Sequence, residues 1–325
     1  MTMACWNYDR TSALLDGRVQ PDGIDLNYLN LPVEETFFRM LRHREFEAAE
    51  MSLSSYVVSL FTPERPFIAI PVFPSRVFRH SCIYVNADSG IREPRDLVGK
   101  KVGTPEYQMT APVWIRGILS DEHGVKVTDV QHLSGGEEEP GRDEKQKIDL
   151  PSSIRLAPIP SDKTLSGMLA EGELDALVTA RAPSTFKSKP DAVKRLFPDY
   201  VAKEKEYYRR TRIFPIMHTV VIRRDVYAKN PWVAQSLYKA FTEAKAKAYA
   251  LYNQTAALPA MVPWLIAHLE EARREMGEDW WPYGLEPNRK VLETFLRYHH
   301  EQGLSKRLYK PEELFARETL ETFKV

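Results

Sequence analysis

Cysteine is nearly absent: the 325 residues hold two, Cys5 and Cys82. They lie far apart and outside any CxxC pattern, so they suggest no disulfide framework, and a reduced, intracellular protein is the simpler expectation. Net charge is absent as well. The 45 basic residues balance 45 acidic ones. That removes the bulk electrostatic case for nucleic acid or a membrane surface and leaves room for a local pocket that takes a small anion. No apolar run approaches the roughly 18 residues that span a bilayer. The opening "MTMACWNYDR" has neither a basic n-region nor an apolar h-region, so a cytoplasmic location is expected.

Familiar catalytic signatures are missing too. There is no GxGxxG and no GxxxxGK[ST], so neither a dinucleotide nor a P-loop site is indicated. GxSxG is absent. The eight histidines show no HExxH or HxH spacing, and nothing asks for a metal or another cofactor. His299 and His300 fall on a polar C-terminal helix and read as solvated.

What the chain does contain is alternation. "CWNYD", "IDLNYLNL", "FEAAEMS", "FIAIPVF", "HSCIYVN", "DALVTA" and "IFPIMHTVVIRRDVY" read as strands. Helical patterns alternate with them: "VEETFFRMLRH", with Phe37, Phe38, Met40 and Leu41 along one face, then "SSYVVSLF", "APVWIRGILSDEHG" closed by Gly124, and "DKTLSGMLAEGEL". Such alternation predicts an α/β protein with largely parallel sheets and helices on both faces. After the return strand around 214–224 the chain is mainly helical. Two βα units and that return strand predict two lobes, residues 1–84 with 219–325 and residues 85–218. A ligand is then expected in the cleft between the lobes, beyond the carboxyl ends of strands. "GGEEEPGRDEKQKIDLPSS" has no apolar period and reads as a solvated insertion whose charge run needs no ligand.

Several loop ends carry groups that can do chemistry. Arg10 in "YDRTS" follows a strand and offers a planar fork to a carboxylate; pairing with Asp9 is the alternative. Glu50, Ser52 and Ser54 in "EMSLSS" stand where a strand gives way to a helix, and N-capping accounts equally well for one of the serines. Arg79 and His80 in "FRHS" point to opposite faces of an extended chain, and a neighbouring cation lowers the proton affinity of His80. His218 sits on the return strand, and Arg181 just beyond "ALVTA". In "GTPEYQMTAPVWIRG", Gly103 is expected to make a turn after a strand and Thr110 to cap the next helix, with Pro112 tolerated in its first turn. Glu106, Tyr107 and Gln108 are then surplus polarity that suits a ligand wall. Together these groups suit a small, multiply anionic ligand without naming a reaction.

The blocks "YDRTSALLDGRVQPDGIDLNYL", "EMSLSSY", "FRHSCIYVN", "VGTPEYQMTAPVWIRGIL", "FPIMHTVVIRRDVY" and "WPYGLEPNR" resemble the 4,5-dihydroxyphthalate decarboxylase family over nearly the whole chain. The resemblance implies a two-lobed fold like that of type 2 periplasmic solute-binding proteins. It also implies loss of CO2 from a hydroxylated aromatic dicarboxylate, yielding protocatechuate. A hydroxyl para to the carboxylate lets charge reach the carboxylate-bearing carbon, so protonation there needs no electron-sink cofactor. On this reading Arg10, Arg79 or Arg181 holds the carboxylate that stays, and His80 or His218 protonates the ring carbon. Glu50 or Glu106 faces the hydroxyls, and Thr110 binds an oxygen. A solute-binding protein without catalysis is the competing expectation. The partner expected is the small aromatic substrate, with no nucleic acid and no membrane; self-association stays open.

Overall fold

The computed structural model describes residues 1–142 and 144–320. In chain order the first strands are β1 (Thr2–Ala4), β2 (Asn27–Leu29), β3 (Ala48–Ser52), β4 (Phe67–Ile70), β5 (Ile83–Asn86) and β6 (Lys101–Thr104). They are followed by β7 (Gln131–Ser134), β8 (Leu156–Pro158), β9 (Ala176–Val178), β10 (Val193–Arg195) and β11 (His218–Arg223). No helix among the described residues is long and apolar enough to cross a membrane.

The chain forms two compact units. The first comprises Met1–Arg76, Ile216–Leu292 and Tyr309–Val325, the second Val77–Pro215 and Glu293–Leu308. These divisions lie upstream of the expected breaks at 84 and 218, and residues 293–308 go with the second unit. The reason is packing: Trp114 lies 5.5 Å from the ring of Phe295 and 5.7 Å from that of Tyr298.

The first unit is built on a sheet of order β2-β1-β3-β11-β4, in which β11 alone runs antiparallel to its neighbours. Every residue of β3 and β4 is buried, as expected of strands covered on both faces. The helix Val33–His43 buries Phe37 and Met40 but leaves Phe38 47% exposed, edge-on to His43. Phe38 is therefore not part of the apolar face. "CWNYD" is not a strand: β1 ends at Ala4, and Cys5–Asp9 turn. The hydroxyl of Thr11 accepts from the Tyr8 amide at 2.9 Å and donates to the Trp6 carbonyl at 3.0 Å, which takes this backbone out of the ladder.

The second unit holds a sheet of order β10-β5-β9-β6-β7-β8, with β5 antiparallel to both neighbours and β9, β6, β7 and β8 parallel. Gly103 lies inside β6 rather than in a turn. A Cβ there meets Leu165 and Leu174 at 2.9 Å, so the position is kept small for packing. The helix Thr110–His123 ends at Gly124, whose φ of 69° closes it. Its N-cap is Met109, and Thr110 is already the first helical residue. "HSCIYVN" opens with a 3₁₀ turn, His80–Cys82, because the Ser81 amide is held by the Glu204 carboxylate at 3.3 Å. His299 is fully buried against the Ser305 hydroxyl rather than solvated, whereas His300 is exposed.

Candidate functional site

In the first unit, the register of β3 with β11 sets Ser52 opposite His218 and Glu50 opposite Val220. Glu50 and His218 are thereby diagonal neighbours on one face of the sheet. Nδ1 of His218 lies 2.6 Å from Oε1 of Glu50. The carboxylate has no exposed surface, a costly position unless its oxygens are satisfied. They are: Oε1 also accepts from the Tyr8 hydroxyl at 2.7 Å, and Oε2 accepts from the Trp6 amide at 3.1 Å and the Cys5 thiol at 3.5 Å.

Burial pushes the Glu50 carboxyl up, but the His218 contact, the Tyr8 hydroxyl and the Trp6 amide outweigh it and hold the group below the ordinary carboxylate range. Glu50 is therefore an acceptor only, so Nδ1 of His218 carries the proton and Nε2 is the nitrogen that exchanges one. Nε2 has no hydrogen-bond partner among the described residues, and the side chain is 16% exposed. Phe37 meets the imidazole edge-on at 4.9 Å and fixes its plane. Burial and the charge of Glu50 push both the Cys5 thiol and the Tyr8 phenol up, so these two stay protonated donors.

Arg10 stands on the other side of Tyr8. Its guanidinium carbon lies 4.2 Å from the centroid of the Tyr8 ring and 4.1 Å from that of Trp281. Two aromatic rings thus pack against the guanidinium, and its N–H groups make the hydrogen bonds. Nε donates to the Pro74 carbonyl at 2.6 Å and Nη1 to Asp9 at 2.8 Å, the pairing anticipated from sequence. Tyr8 thus has the Glu50–His218 pair at its hydroxyl and Arg10 on its ring face. Ser52 caps the helix Leu53–Ser59, accepting from the Ser55 amide at 3.4 Å, and Ser54 has no exposed surface.

The remaining expected residues lie in the second unit, and most are engaged internally. Glu106 is 1% exposed. Its Oε1 accepts from Arg142 Nη2 at 2.6 Å and Lys145 Nζ at 2.5 Å, and its Oε2 from Gln108 Nε2 at 3.1 Å. Burial alone pushes this carboxyl up; Lys145 and Arg142 bring it below the usual range. Glu106 is thus committed to the segment that sequence reading took for a solvated insertion. Tyr107 has no exposed surface; its ring stacks under Arg116 at 4.0 Å and its hydroxyl donates to the Gln302 carbonyl at 3.1 Å. That places it in the core of the unit rather than on a ligand wall.

Arg79 is buried and donates to the Ala180 carbonyl at 3.1 Å. His80, in its 3₁₀ turn, is 5% exposed and set among the rings of Phe197 and Tyr207. Its pKa is lowered to about 4, chiefly by burial and next by the neighbouring His123. Arg181 is exposed just past β9, its amide donating to the Thr179 hydroxyl at 3.4 Å.

The fold gathers Arg10, Glu50 and His218 around Tyr8 in one unit and puts Arg79, His80, Glu106, Tyr107, Gln108, Thr110 and Arg181 in the other. Sequence reasoning missed Tyr8 and Trp281, which orient Arg10, although Tyr8 stands two residues before it. It also missed Arg142 and Lys145, whose charge run was read as solvent-facing. Among the described residues, no group of three or more His, Cys, Asp or Glu is placed to hold a metal.

Comparison with known proteins bears on the chain as a whole. No protein-family model matches the chain. It is 44% identical over 325 residues to 4,5-dihydroxyphthalate decarboxylase of Comamonas testosteroni, covering 100% of this chain and 98% of that one. It is 46% identical over 209 residues to 4,5-dihydroxyphthalate decarboxylase of Pseudomonas putida, covering 64% of this chain and 81% of that one. Among solved structures, the periplasmic aliphatic sulphonate-binding protein of Escherichia coli superposes with a TM-score of 0.52 at 15% identity, over 98% of each chain. A periplasmic sulfonate-binding protein of Methylobacillus flagellatus gives 0.53 at 13% identity, over 97% of this chain and 90% of that one. Such low identities speak to the fold alone, which is that of type 2 periplasmic solute-binding proteins. On its full-length similarity to the Comamonas protein, the chain belongs to the 4,5-dihydroxyphthalate decarboxylase family.

Proposed function

We propose that the protein is a carboxy-lyase that converts 4,5-dihydroxyphthalate to protocatechuate and CO2, with His218 as the acid that protonates the ring carbon. The observation that supports this most is that Tyr8 carries the Glu50–His218 pair at its hydroxyl and Arg10 over its ring. A group that can grip a carboxylate and a nitrogen that can exchange a proton thus share Tyr8 as a neighbour.

The chemistry follows from the substrate. Each carboxylate of 4,5-dihydroxyphthalate is para to a hydroxyl. Once that hydroxyl gives up its proton to water, charge reaches the carboxylate-bearing carbon. Nε2–H of His218 delivers its proton there, forming the new C–H bond. The C–CO2 bond then breaks, its electron pair returns to the ring, and the phenolate takes up a proton from solvent. Arg10 holds the carboxylate that remains. Glu50 is fully buried and satisfied, so its role is to set the His218 tautomer rather than to touch the hydroxyls.

The test is turnover of 4,5-dihydroxyphthalate by the purified protein, followed by CO2 release and protocatechuate. His218→Gln is expected to lower kcat by about 10²–10⁴-fold. Near-full decarboxylation by that variant rules out His218 as the acid, and return of the substrate unchanged by the wild type rules out the reaction.

A further inference from the structure

The helix Leu265–Met276 has an apolar side yet buries none of its residues. It follows an uncharged stretch: from Ala248 to Ala267 there is no Asp, Glu, Lys or Arg. Besides small and uncharged polar residues, its second half shows large apolar side chains to solvent: Leu258 (48% exposed), Met261 (103%), Val262 (41%), Trp264 (72%) and Ile266 (38%). A contiguous apolar surface of this kind marks a contact site.

Two charges on the same helix indicate what covers it. Ile266, Glu270 and Arg274 are exposed and follow one another at four-residue spacing, so they form one stripe. Glu270 and Arg274 are suitably spaced to pair, yet neither has an ion-pair or hydrogen-bond partner among the described residues. The stripe therefore presents one negative and one positive charge, one turn apart and both unmatched. Such a pattern is complementary to itself read backwards. Two copies of the helix laid antiparallel about a two-fold axis midway between Glu270 and Arg274 bring Glu270 of each against the partner's Arg274. A formal net charge of zero leaves no long-range repulsion against association.

We propose that this face, from Leu258 to Arg274, is the contact surface between two copies of this chain, paired antiparallel with reciprocal Glu270–Arg274 ion pairs at its centre. A stable pair buries roughly 800 Å² per copy. The helix stripe alone falls short of that, and Met261, Val262 and Trp264 extend it at either end. The pairing is isologous: the same patch serves both copies, and the contact closes on itself.

Charge reversal tests this without any appeal to activity. The full-length protein is expected to sediment as a dimer. Glu270→Arg and Arg274→Glu each place like charges in contact twice and are expected to raise the dimer dissociation constant by about tenfold or more. The double variant, Glu270→Arg with Arg274→Glu, restores opposite charges and is expected to recover wild-type association. Both substituted positions lie on the surface, and thermal melting checks that each variant is folded. A monomeric wild type at all concentrations overturns the proposal. So does a dimer indifferent to both single reversals, or a double variant that stays monomeric. Binding of a monomeric protein to phosphatidylcholine vesicles, with a blue shift of tryptophan emission lost in Trp264→Ser, assigns the face to a membrane surface and overturns it too.

Discussion

Nδ1 of His218 meets Oε1 of Glu50 at 2.6 Å across two antiparallel strands, and the Tyr8 hydroxyl reaches the same oxygen at 2.7 Å. A single buried carboxylate oxygen therefore sets both the tautomer of the imidazole and the position of the phenol. Replacing Glu50 by Gln keeps the shape but removes the charge and puts an NH2 group among donors. The expected result is a fall in kcat of about 10²–10⁴-fold with KM little changed, read from initial rates of CO2 release. Equal losses in KM and kcat would point to disrupted substrate binding instead.

Arg10 packs against the rings of Tyr8 and Trp281 and is anchored through Nε to the Pro74 carbonyl. Lysine keeps the charge but has neither a planar face to stack nor a fork to present. Arg10→Lys is expected to raise KM by about tenfold or more while kcat stays within about threefold of wild type. Steady-state kinetics decide the split; an unchanged KM removes Arg10 from the carboxylate site.

His80 and His132 are both buried with pKa values lowered to about 4, chiefly by burial. A histidine whose folded pKa is depressed must lose its proton to fold. Its stabilising contribution is complete above the unfolded value of about 6.5 and is lost as pH falls toward the folded value of about 4. Two carboxyls work the other way. Burial raises Glu144 to about 7 and Glu204 to about 6, so the folded chain takes up their protons first on acidification. Comparison with a variant isolates one histidine from this background. Relative to wild type, His80→Gln should gain up to about 3 kcal/mol of stability between pH 7 and pH 4. Guanidinium melts at the two pH values measure it, and a difference that does not change with pH contradicts the buried, neutral histidine.

Gly117 lies inside the helix Thr110–His123, where alanine is ordinarily the better helix former by about 1 kcal/mol. Here a Cβ falls 2.0 Å from the ring of Tyr298. Gly117→Ala is expected to destabilise by about 1–3 kcal/mol, because the ring has to leave a packed position. A raised Tm in this variant would show that Tyr298 moves aside freely.

Much of the architecture was legible in the residues, because strand and helix signals are local. The buried runs "FEAAEMS" and "FIAIPVF" became β3 and β4, and the amphipathic stretch before Gly124 became a helix ending there. Failures came where a distant group took over a local choice. Glu50 and Thr11 draw "CWNYD" into a turn, and Glu204 holds "HSC" in a 3₁₀ turn. Thr110 lost its capping place to Met109. The run "GRDEK" looked solvated because the carboxylate it serves, Glu106, lies more than thirty residues away.

The site divides in the same way. Sequence alone determined which chemical groups exist: arginines for carboxylates, histidines for protons, carboxylates to orient them. It also carried the resemblance to a family. Tertiary structure alone decided which histidine has a carboxylate hydrogen-bonded to its ring and which is buried against aromatic rings. His218 opens β11 and His80 opens the 3₁₀ turn before β5. The register of β3 with β11 puts Glu50 beside the first, and burial among Phe197 and Tyr207 depresses the second. Proton affinity and tautomer depend on neighbours distant in the chain, and folding supplies those neighbours.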